Sequence, residues 1–309
     1  MEYIEIQNSK VTARIALQIG NNLYSLIVED REILYFPYSL DDFRNNSSLA
    51  GNPIMHPWVN RIKEGRYVWS QKVIDTCPYS RHLLYDQWQQ PLHGLMLKSS
   101  QWDIVDKGDD FVITRTQWNE SLPYFEAFPF AHTLTVSYYL NHDGIIISQD
   151  ITNEGVADMP VSTGFHPYFS YPYEHRKDIK FDFGFSYYLI TDEQLIPTGE
   201  IADVTQIPLY KGISLEDLHL DHGFIATGSE IKISMPDYLM ILESRAYPFW
   251  VVYTPDHPKK PYFCIEPITS PTDGFNLNNT HPLLCSLPII RCGENYTTNF
   301  VIAIKDTRK

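Results

Sequence analysis

The sequence has no long apolar run and no excess of basic residues, and both absences narrow its function. No stretch approaches the roughly 18 consecutive apolar residues that a membrane-spanning helix needs. Lys and Arg number 24 against 38 Asp and Glu, a formal net charge of −14, whereas nucleic acids and anionic membranes attract clustered Lys and Arg. The N-terminal segment from Met1 to Ile6 lacks the basic-then-apolar pattern of a secretory signal. We therefore expect a cytoplasmic protein with no nucleic-acid or membrane partner.

Cysteine is scarce, and the familiar cofactor motifs are missing. The spacing of the four cysteines matches no zinc or disulfide framework, so we interpret them as reduced thiols. They are Cys77, Cys264, Cys285 and Cys292. There is no Gly-rich dinucleotide loop, no phosphate loop, no His-Glu-x-x-His and no Gly-x-Ser-x-Gly. Any chemistry must come from ordinary acid–base side chains.

Helical periodicity is almost absent, whereas period-2 alternation is common. The 21 prolines are scattered, and a proline inside a helix costs about 3 kcal/mol. Alternation predicts strands at 11–19, 133–140, 231–235 and 296–304, and Asp143-Gly144 predicts a hairpin turn. A sheet this large usually splits into packed layers. We predict one all-β domain over residues 1–309, a large β-sandwich with a concave face available for a ligand.

Four polar clusters lie in turn-like segments punctuated by Pro or Gly, where functional sites usually collect. They centre on Arg61, His93, His166 and Glu266. The guanidinium of Arg61 is suited to donating paired hydrogen bonds to neighbouring hydroxyls, although most arginines are simply exposed. His93 stands beside Gly94, which favours close approach to a ligand, and an ordinary turn histidine is the alternative.

His166 and Glu266 each precede a proline, which holds both residues in an extended backbone conformation. Aromatic residues flank His166, and its ordinary pKa of about 6.5 suits proton transfer near neutrality; a packed core histidine is the alternative. Glu266 follows a mostly apolar strand, and its carboxylate is expensive to bury unless it is paired or hydrogen-bonded. Either chemistry or a structural ion pair would explain it.

Taken in order, these segments resemble the aldose 1-epimerase (galactose mutarotase) family, over roughly residues 10 to 305. The matching residues are Asn60-Arg61-Ile62 with Gly65, His93-Gly94, His166-Pro167-Tyr168-Phe169, Leu220-Asp221 with Phe224, and Cys264-Ile265-Glu266-Pro267. No single motif is decisive, but the ordered set is specific. The resemblance implies the β-supersandwich fold of galactose mutarotase.

The resemblance also implies an activity, the interconversion of the α and β anomers of an aldose. Glu266 would take the proton of the C1 hydroxyl, and His166 would protonate the ring oxygen O5. Arg61, His93 and Asp221 would hold the sugar, and no metal or organic cofactor would be needed. We expect the acid and the base on opposite sides of the hemiacetal. With ordinary pKa values, Glu266 would be ionised and His166 partly protonated at pH 7.

Three departures from the family pattern leave the identity of the sugar open. The segment after Gly94 is Leu95-Met96-Leu97-Lys98, where many relatives place an arginine. His222 follows Asp221 where a second acidic residue is common, and His56 stands where we expect an apolar or aromatic residue. These departures leave His166 and Glu266 unchanged, but galactose cannot be assumed to be the substrate.

Two alternative functions remain open on the sequence alone. One is a non-catalytic sugar-binding or regulatory protein on the same fold, since a fold does not fix function. The other is a different carbohydrate enzyme, such as a lyase, a hydrolase or a phosphosugar epimerase. A hydrolase needs two carboxylates beside the bond, for which Glu266 and Asp221 are candidates. The oligomeric state is also open.

Overall fold

Two large antiparallel sheets dominate the computed structural model, which describes residues 3–307. One sheet has nine strands and the other has eight. Their facing side chains form one apolar core, in which the Phe300 ring lies 6.0 Å from that of Trp250 and 6.1 Å from that of Phe165. The predicted all-β sandwich is confirmed, while the single domain over 1–309 stays a prediction.

Both large sheets combine strands from distant parts of the chain. In spatial order, the nine-stranded sheet contains β10 (Asp103–Lys107), β11 (Phe111–Trp118), β12 (His132–Leu140), β13 (Gly144–Asn153), β27 (Asn295–Asp306), β23 (Tyr238–Glu243), β22 (Glu230–Ser234), β17 (Lys180–Asp182) and β20 (Ile213–Ser214). The eight-stranded sheet contains, also in spatial order, β19 (Pro197–Asp203), β18 (Phe185–Thr191), β21 (Asp221–Ala226), β24 (Phe249–Tyr253), β25 (Tyr262–Ile268), β15 (Gly164–Phe165) and β5 (Ile54–Met55). Its eighth strand, β16 (Tyr168–Ser170), also pairs with β25.

Smaller sheets and short helices complete the fold. The N-terminal sheet contains β1 (Ile4–Gln7), β2 (Val11–Ala16), β3 (Asn22–Val28) and β4 (Arg31–Glu32). Three two-stranded sheets pair β6 (Arg66–Trp69) with β7 (Lys72–Asp75), β8 (Leu84–Tyr85) with β9 (Pro91–Leu92), and β14 (Met159–Pro160) with β26 (Ile289–Ile290). The α-helices are α1 (Leu40–Asn45), α2 (Gly274–Thr280) and α3 (Pro282–Cys285). The 3-10 helices are Lys63–Gly65, Cys77–His82, Phe125–Ala127, Tyr173–Asp178, Val204–Gln206 and Leu215–Asp217. Across residues 3–307, no helix is long and apolar enough to cross a membrane.

The strand predictions hold in the hairpin and fail at one strand end. Leu140 pairs with Ile145 across the predicted turn, which confirms the β12–β13 hairpin. The strand predicted over 11–19 ends at Ala16, because the chain then turns and Ile19 N–H donates to the Ala16 carbonyl. Gly20 follows with φ 72° and packs directly against the Leu97 backbone, where a Cβ would clash. The turn that follows β2 therefore packs on a segment almost eighty residues away.

Alternation along β25 decides where the acidic side chain of this strand points. Phe263 and Ile265 face the apolar core between the two large sheets, so Cys264 and Glu266 face the opposite side. Glu266 pairs with Val251 of β24, and directly paired residues share a face. Glu266 therefore stands on the outer face of the eight-stranded sheet, away from the main core.

Candidate active site

A cavity of about 500 Å³ opens on this outer face of the eight-stranded sheet. All five residues predicted for the site line it, namely Arg61, His93, His166, Asp221 and Glu266. Five tyrosines that the sequence did not single out as ligand contacts also line it: Tyr38, Tyr85, Tyr168, Tyr253 and Tyr262. The cavity is within the usual range of small-molecule sites.

Glu266 and His166 are in direct contact at the base of the cavity. Glu266 Oε1 lies 3.3 Å from His166 Nε2, and the two side chains are only 2% and 8% exposed. Glu266 Oε2 and His166 Nδ1 are buried and have no hydrogen-bond partner among residues 3–307. The expectation that the acid and base lie on opposite sides of a sugar is wrong, because the groups stand side by side.

Burial also changes the protonation expected from ordinary pKa values. It raises the pKa of Glu266 well above its usual value, an effect that the charge of Asp221 strengthens and that of Arg61 opposes. Burial lowers the pKa of His166 to about 3. Both directions disfavour charge, so the pair is expected as a carboxylic acid beside a neutral imidazole. The partly protonated histidine inferred from its ordinary pKa is thereby corrected, and the ionised form inferred for Glu266 is disfavoured.

Two rings flank His166 and fix its orientation. Tyr168 stacks on it with ring centroids 4.6 Å apart and planes 3° apart, while His93 meets it edge-on at 4.9 Å. His93 Nδ1 lies 3.0 Å from the Met55 sulfur, a weak acceptor, which favours the tautomer protonated at Nδ1. Burial, with the charges of His166 and Arg61 adding to it, holds the pKa of His93 well below its usual value. His93 is therefore neutral, with Nε2 available as an acceptor.

The loops that carry Arg61 and His93 adopt uncommon backbone conformations. Asn60 has φ 50° and His93 has φ 59°, and His93 N–H donates to the Asn60 carbonyl at 2.8 Å. Gly94, at φ 74°, packs on the His56 carbonyl so closely that a Cβ would clash. Left-handed non-glycine residues are uncommon and persist where surrounding structure holds them. In this fold they bring the two loops over the sheet.

Asp86 holds Arg61, and the sequence analysis missed it. Asp86 Oδ2 accepts from Arg61 Nε at 2.7 Å, and the two side chains are 6% and 12% exposed. Arg61 Nη1 donates to Asn60 Oδ1 at 2.8 Å, and the Trp88 ring centroid lies 5.7 Å from the guanidinium carbon. Asp86 Oδ1 accepts the backbone N–H groups of Trp88 and Gln90. The turn at Asp86 can be inferred from the sequence, but its contact with Arg61, 25 residues away, cannot.

Asp221 occupies the more open part of the cavity. It begins β21 opposite Tyr253 of β24. Partial burial raises its pKa, while the charges of Arg61 and His222 act the other way. Among residues 3–307, no group of three or more His, Cys, Asp or Glu side chains is arranged to hold a metal ion.

Comparisons with known proteins agree with this architecture. The profile of the aldose 1-epimerase family matches residues 2–303. The chain is 21% identical over 263 residues to the uncharacterised protein YphB of Escherichia coli K12, covering 81% of this chain and 82% of that protein. A galactose mutarotase-like protein from Clostridium acetobutylicum superposes with TM-score 0.84 at 19% identity, covering 99% of this chain and 95% of the other. The GalM/aldose epimerase homologue from C. elegans superposes with TM-score 0.80 at 18% identity, covering 98% of each chain. The protein therefore belongs to the aldose 1-epimerase family.

Proposed function

We propose that this protein is an aldose 1-epimerase that interconverts the α and β anomers of an aldohexose through Glu266 and His166. The observation that carries the proposal is the buried Glu266–His166 contact at 3.3 Å, with Glu266 Oε2 left unpaired. A buried carboxylate oxygen without a partner is costly, and a sugar hydroxyl in the cavity would satisfy it.

The adjacent acid and base suit the geometry of a hemiacetal. O1 and O5 are bonded to the same carbon, so neighbouring groups on one side of the ring reach both. In the opening step, the C1 hydroxyl proton goes to Glu266 and O5 receives a proton from His166. The C1–O5 bond breaks to leave the aldehyde. Rotation about C1–C2 and the reverse transfers then close either anomer, with no net change in protons.

Burial favours the neutral form of the Glu266–His166 pair, which is the form present when the sugar ring is open. The charged pair of carboxylate and imidazolium holds the same number of protons as the neutral pair of carboxylic acid and imidazole. Proton transfer across the 3.3 Å contact between Glu266 Oε1 and His166 Nε2 therefore interconverts the two forms. A C1 hydroxyl that donates to Glu266 Oε2 stabilises the carboxylate form needed to start. Ring opening restores the neutral pair, which burial prefers.

Arg61, His93 and Asp221 are proposed to orient the sugar. Asp86 and Asn60 engage Nε and Nη1 of Arg61, which leaves Nη2 to donate to a ring or hydroxyl oxygen. His93 Nε2 would accept from one hydroxyl and the Asp221 carboxylate from another. Fixed donors and acceptors of this kind raise rates by holding the reacting atoms in place.

Polarimetry of freshly dissolved α-glucose and α-galactose tests this function. Wild type should accelerate the approach to anomeric equilibrium, and Glu266→Gln should lower kcat by about 10² to 10⁴. Glu200→Gln is the matched control, because Glu200 is exposed on β19, and it should behave as wild type. Anomerisation at the buffer rate for a panel of aldoses would refute the proposal. Saturable binding without acceleration would instead support a sugar-binding protein.

A further inference from the structure

A second cavity, of about 410 Å³, adjoins the candidate active site. We call it the side cavity. The two cavities share Ser47, Leu49 and Leu84 in their linings, so they lie on either side of these residues. Leu83, Leu95 and Leu97 give the side cavity an apolar wall.

The two cavities differ in charge. The active-site cavity is lined by the carboxyl groups of Asp221 and Glu266 and by Arg61, whose charge is paired with Asp86. The side cavity is lined by Arg81 and Lys98 and by no acidic residue, although the chain has 38 Asp and Glu and a net charge of −14. Its remaining polar lining, such as Asn46 and Ser99, is able to donate hydrogen bonds.

Neither cation of the side cavity is neutralised by the protein. Across residues 3–307, no carboxylate lies within 4.0 Å of the charged nitrogens of Lys98 or Arg81. Lys98 Nζ donates to the Phe43 carbonyl and lies 3.1 Å from the centroid of the Phe43 ring, and Arg81 Nε donates to His82 Nε2 at 2.9 Å. Burial lowers the pKa of Lys98 to about 8, which still leaves it mostly charged at pH 7. Lys98 is partly buried, and a partly buried cation without a counter-charge is costly; Arg81 is exposed.

We propose that the side cavity binds an anionic substituent of the sugar, so that the substrate is an aldose carrying a phosphate or carboxylate away from C1. This inference rests on the proposed function. Ring opening needs a free C1 hydroxyl, so the substituent must be elsewhere on the sugar. Asp221 disfavours an anion in its part of the active-site cavity, whereas Arg81 and Lys98 favour one beyond Leu84.

The test compares glucose with glucose 6-phosphate, glucuronate and the neutral disaccharide maltose, using NMR exchange between anomers. Wild type should show kcat/KM for at least one anionic sugar about tenfold or more above that for glucose, the size expected of a charge-assisted contact. Lys98→Met and Arg81→Met should each lower this ratio about tenfold, mainly through KM. Lys107→Met is the matched control, since Lys107 is exposed on β10 and its loss changes the net charge equally. The anionic sugar that gains more identifies the group bound.

Three results would overturn the inference while leaving the epimerase in place. They are equal kcat/KM for neutral and anionic sugars, a preference for maltose over both anionic sugars, and an anionic preference unchanged in Lys98→Met and Arg81→Met. Acceleration of no sugar at all would refute the proposed function instead. Calorimetric titration with glucose 6-phosphate then decides the inference separately: binding that Lys98→Met and Arg81→Met weaken supports the side cavity, and no binding refutes it.

Discussion

Two pairs of buried histidines lie close together in this fold, but one pair borders a cavity and the other is enclosed in the core. His93 and His166 border the active-site cavity, with His166 against Glu266. His56 and His132 lie in the core among Trp118 and Phe128. The segment that follows His93 connects the two pairs, because the N–H groups of residues 95 and 96 both donate to the His56 carbonyl.

The core pair satisfies most of its own hydrogen bonds. His132 Nδ1 donates to the Phe130 carbonyl at 2.7 Å, so His132 Nε2 accepts from His56 Nε2, also at 2.7 Å. Burial lowers the pKa of His132 to about 4, with the Phe130 contact opposing it, and burial together with His132 lowers that of His56. Both rings are therefore neutral near pH 7.

Under the proposed function, the difference between the pairs separates a structural role for the core pair from a chemical role for the pair at the cavity. The core pair ends in a backbone carbonyl and in His56 Nδ1, which is also buried and unpaired but lines neither the active-site cavity nor the side cavity. The cavity pair ends in a carboxyl group with a buried, unpaired oxygen. Replacing a member of each pair should therefore damage different properties of the protein.

The largest expected effect is on catalysis, from His166→Ala. Loss of the acid should lower kcat for anomer interconversion by about 10² to 10⁴. The free energy of unfolding, measured by urea denaturation, should change by only about 1 kcal/mol, because loss of the buried His166 ring enlarges an existing cavity instead of opening a new one in the core. A variant that keeps the wild-type kcat would assign the chemistry to another group.

His132→Ala should do the reverse. It removes a fully buried ring and leaves the His56 donor unpaired, which should cost about 3 to 5 kcal/mol in the free energy of unfolding. The folded variant should keep kcat within about threefold of wild type. A hundredfold loss of kcat in a variant that remains folded would place the core pair in the catalytic machinery.

The core pair should also make stability depend on pH. The pKa of His132 is about 4 in the folded protein and about 6.5 when unfolded, so the unfolded chain binds more protons between these values. The free energy of unfolding should therefore fall by about 3 kcal/mol from His132 as pH drops from 6.5 to 4. Urea denaturation at several pH values measures this, and His132→Gln should flatten the dependence. An equal slope in His132→Gln would rule out His132 as its source.

The smallest expected effect comes from Asp86, which positions Arg61. Asp86→Ala frees the guanidinium and should raise KM about tenfold, the loss of one charge-assisted hydrogen bond, with a smaller change in kcat. Asp86→Asn keeps an acceptor for Arg61 and should recover most of the loss. Equal KM values for wild type and Asp86→Ala, from anomer-exchange kinetics, would show that Arg61 needs no such support.

Much of this structure can be predicted from local sequence patterns. The Asp143-Gly144 turn and the alternation of β12 and β13 are local features, and so is the extended backbone before Pro167 and Pro267. Gathering the five predicted site residues around one cavity required the family resemblance, since alternation alone places no two of them together.

Properties that depend on distant contacts were not predictable from the sequence. The turn after β2 packs on the Leu97 backbone, and the support of Arg61 depends on Asp86. The neutral state of the Glu266–His166 pair depends on how deeply the fold buries it. Residue identity sets an ordinary pKa, and tertiary burial sets its displacement.

The most direct test of the buried pair is the pH dependence of kcat/KM for anomer exchange, measured by NMR and corrected for the buffer rate. Burial lowers the pKa of His166 to about 3. Protonation of His166, which would give the Glu266–His166 pair a second proton and a net charge, should therefore begin only far below neutrality. We predict that wild type accelerates exchange with nearly constant kcat/KM between pH 5 and pH 7. An acid limb with its midpoint near 6.5, the value of an ordinary histidine, or no acceleration at any pH, would contradict the account.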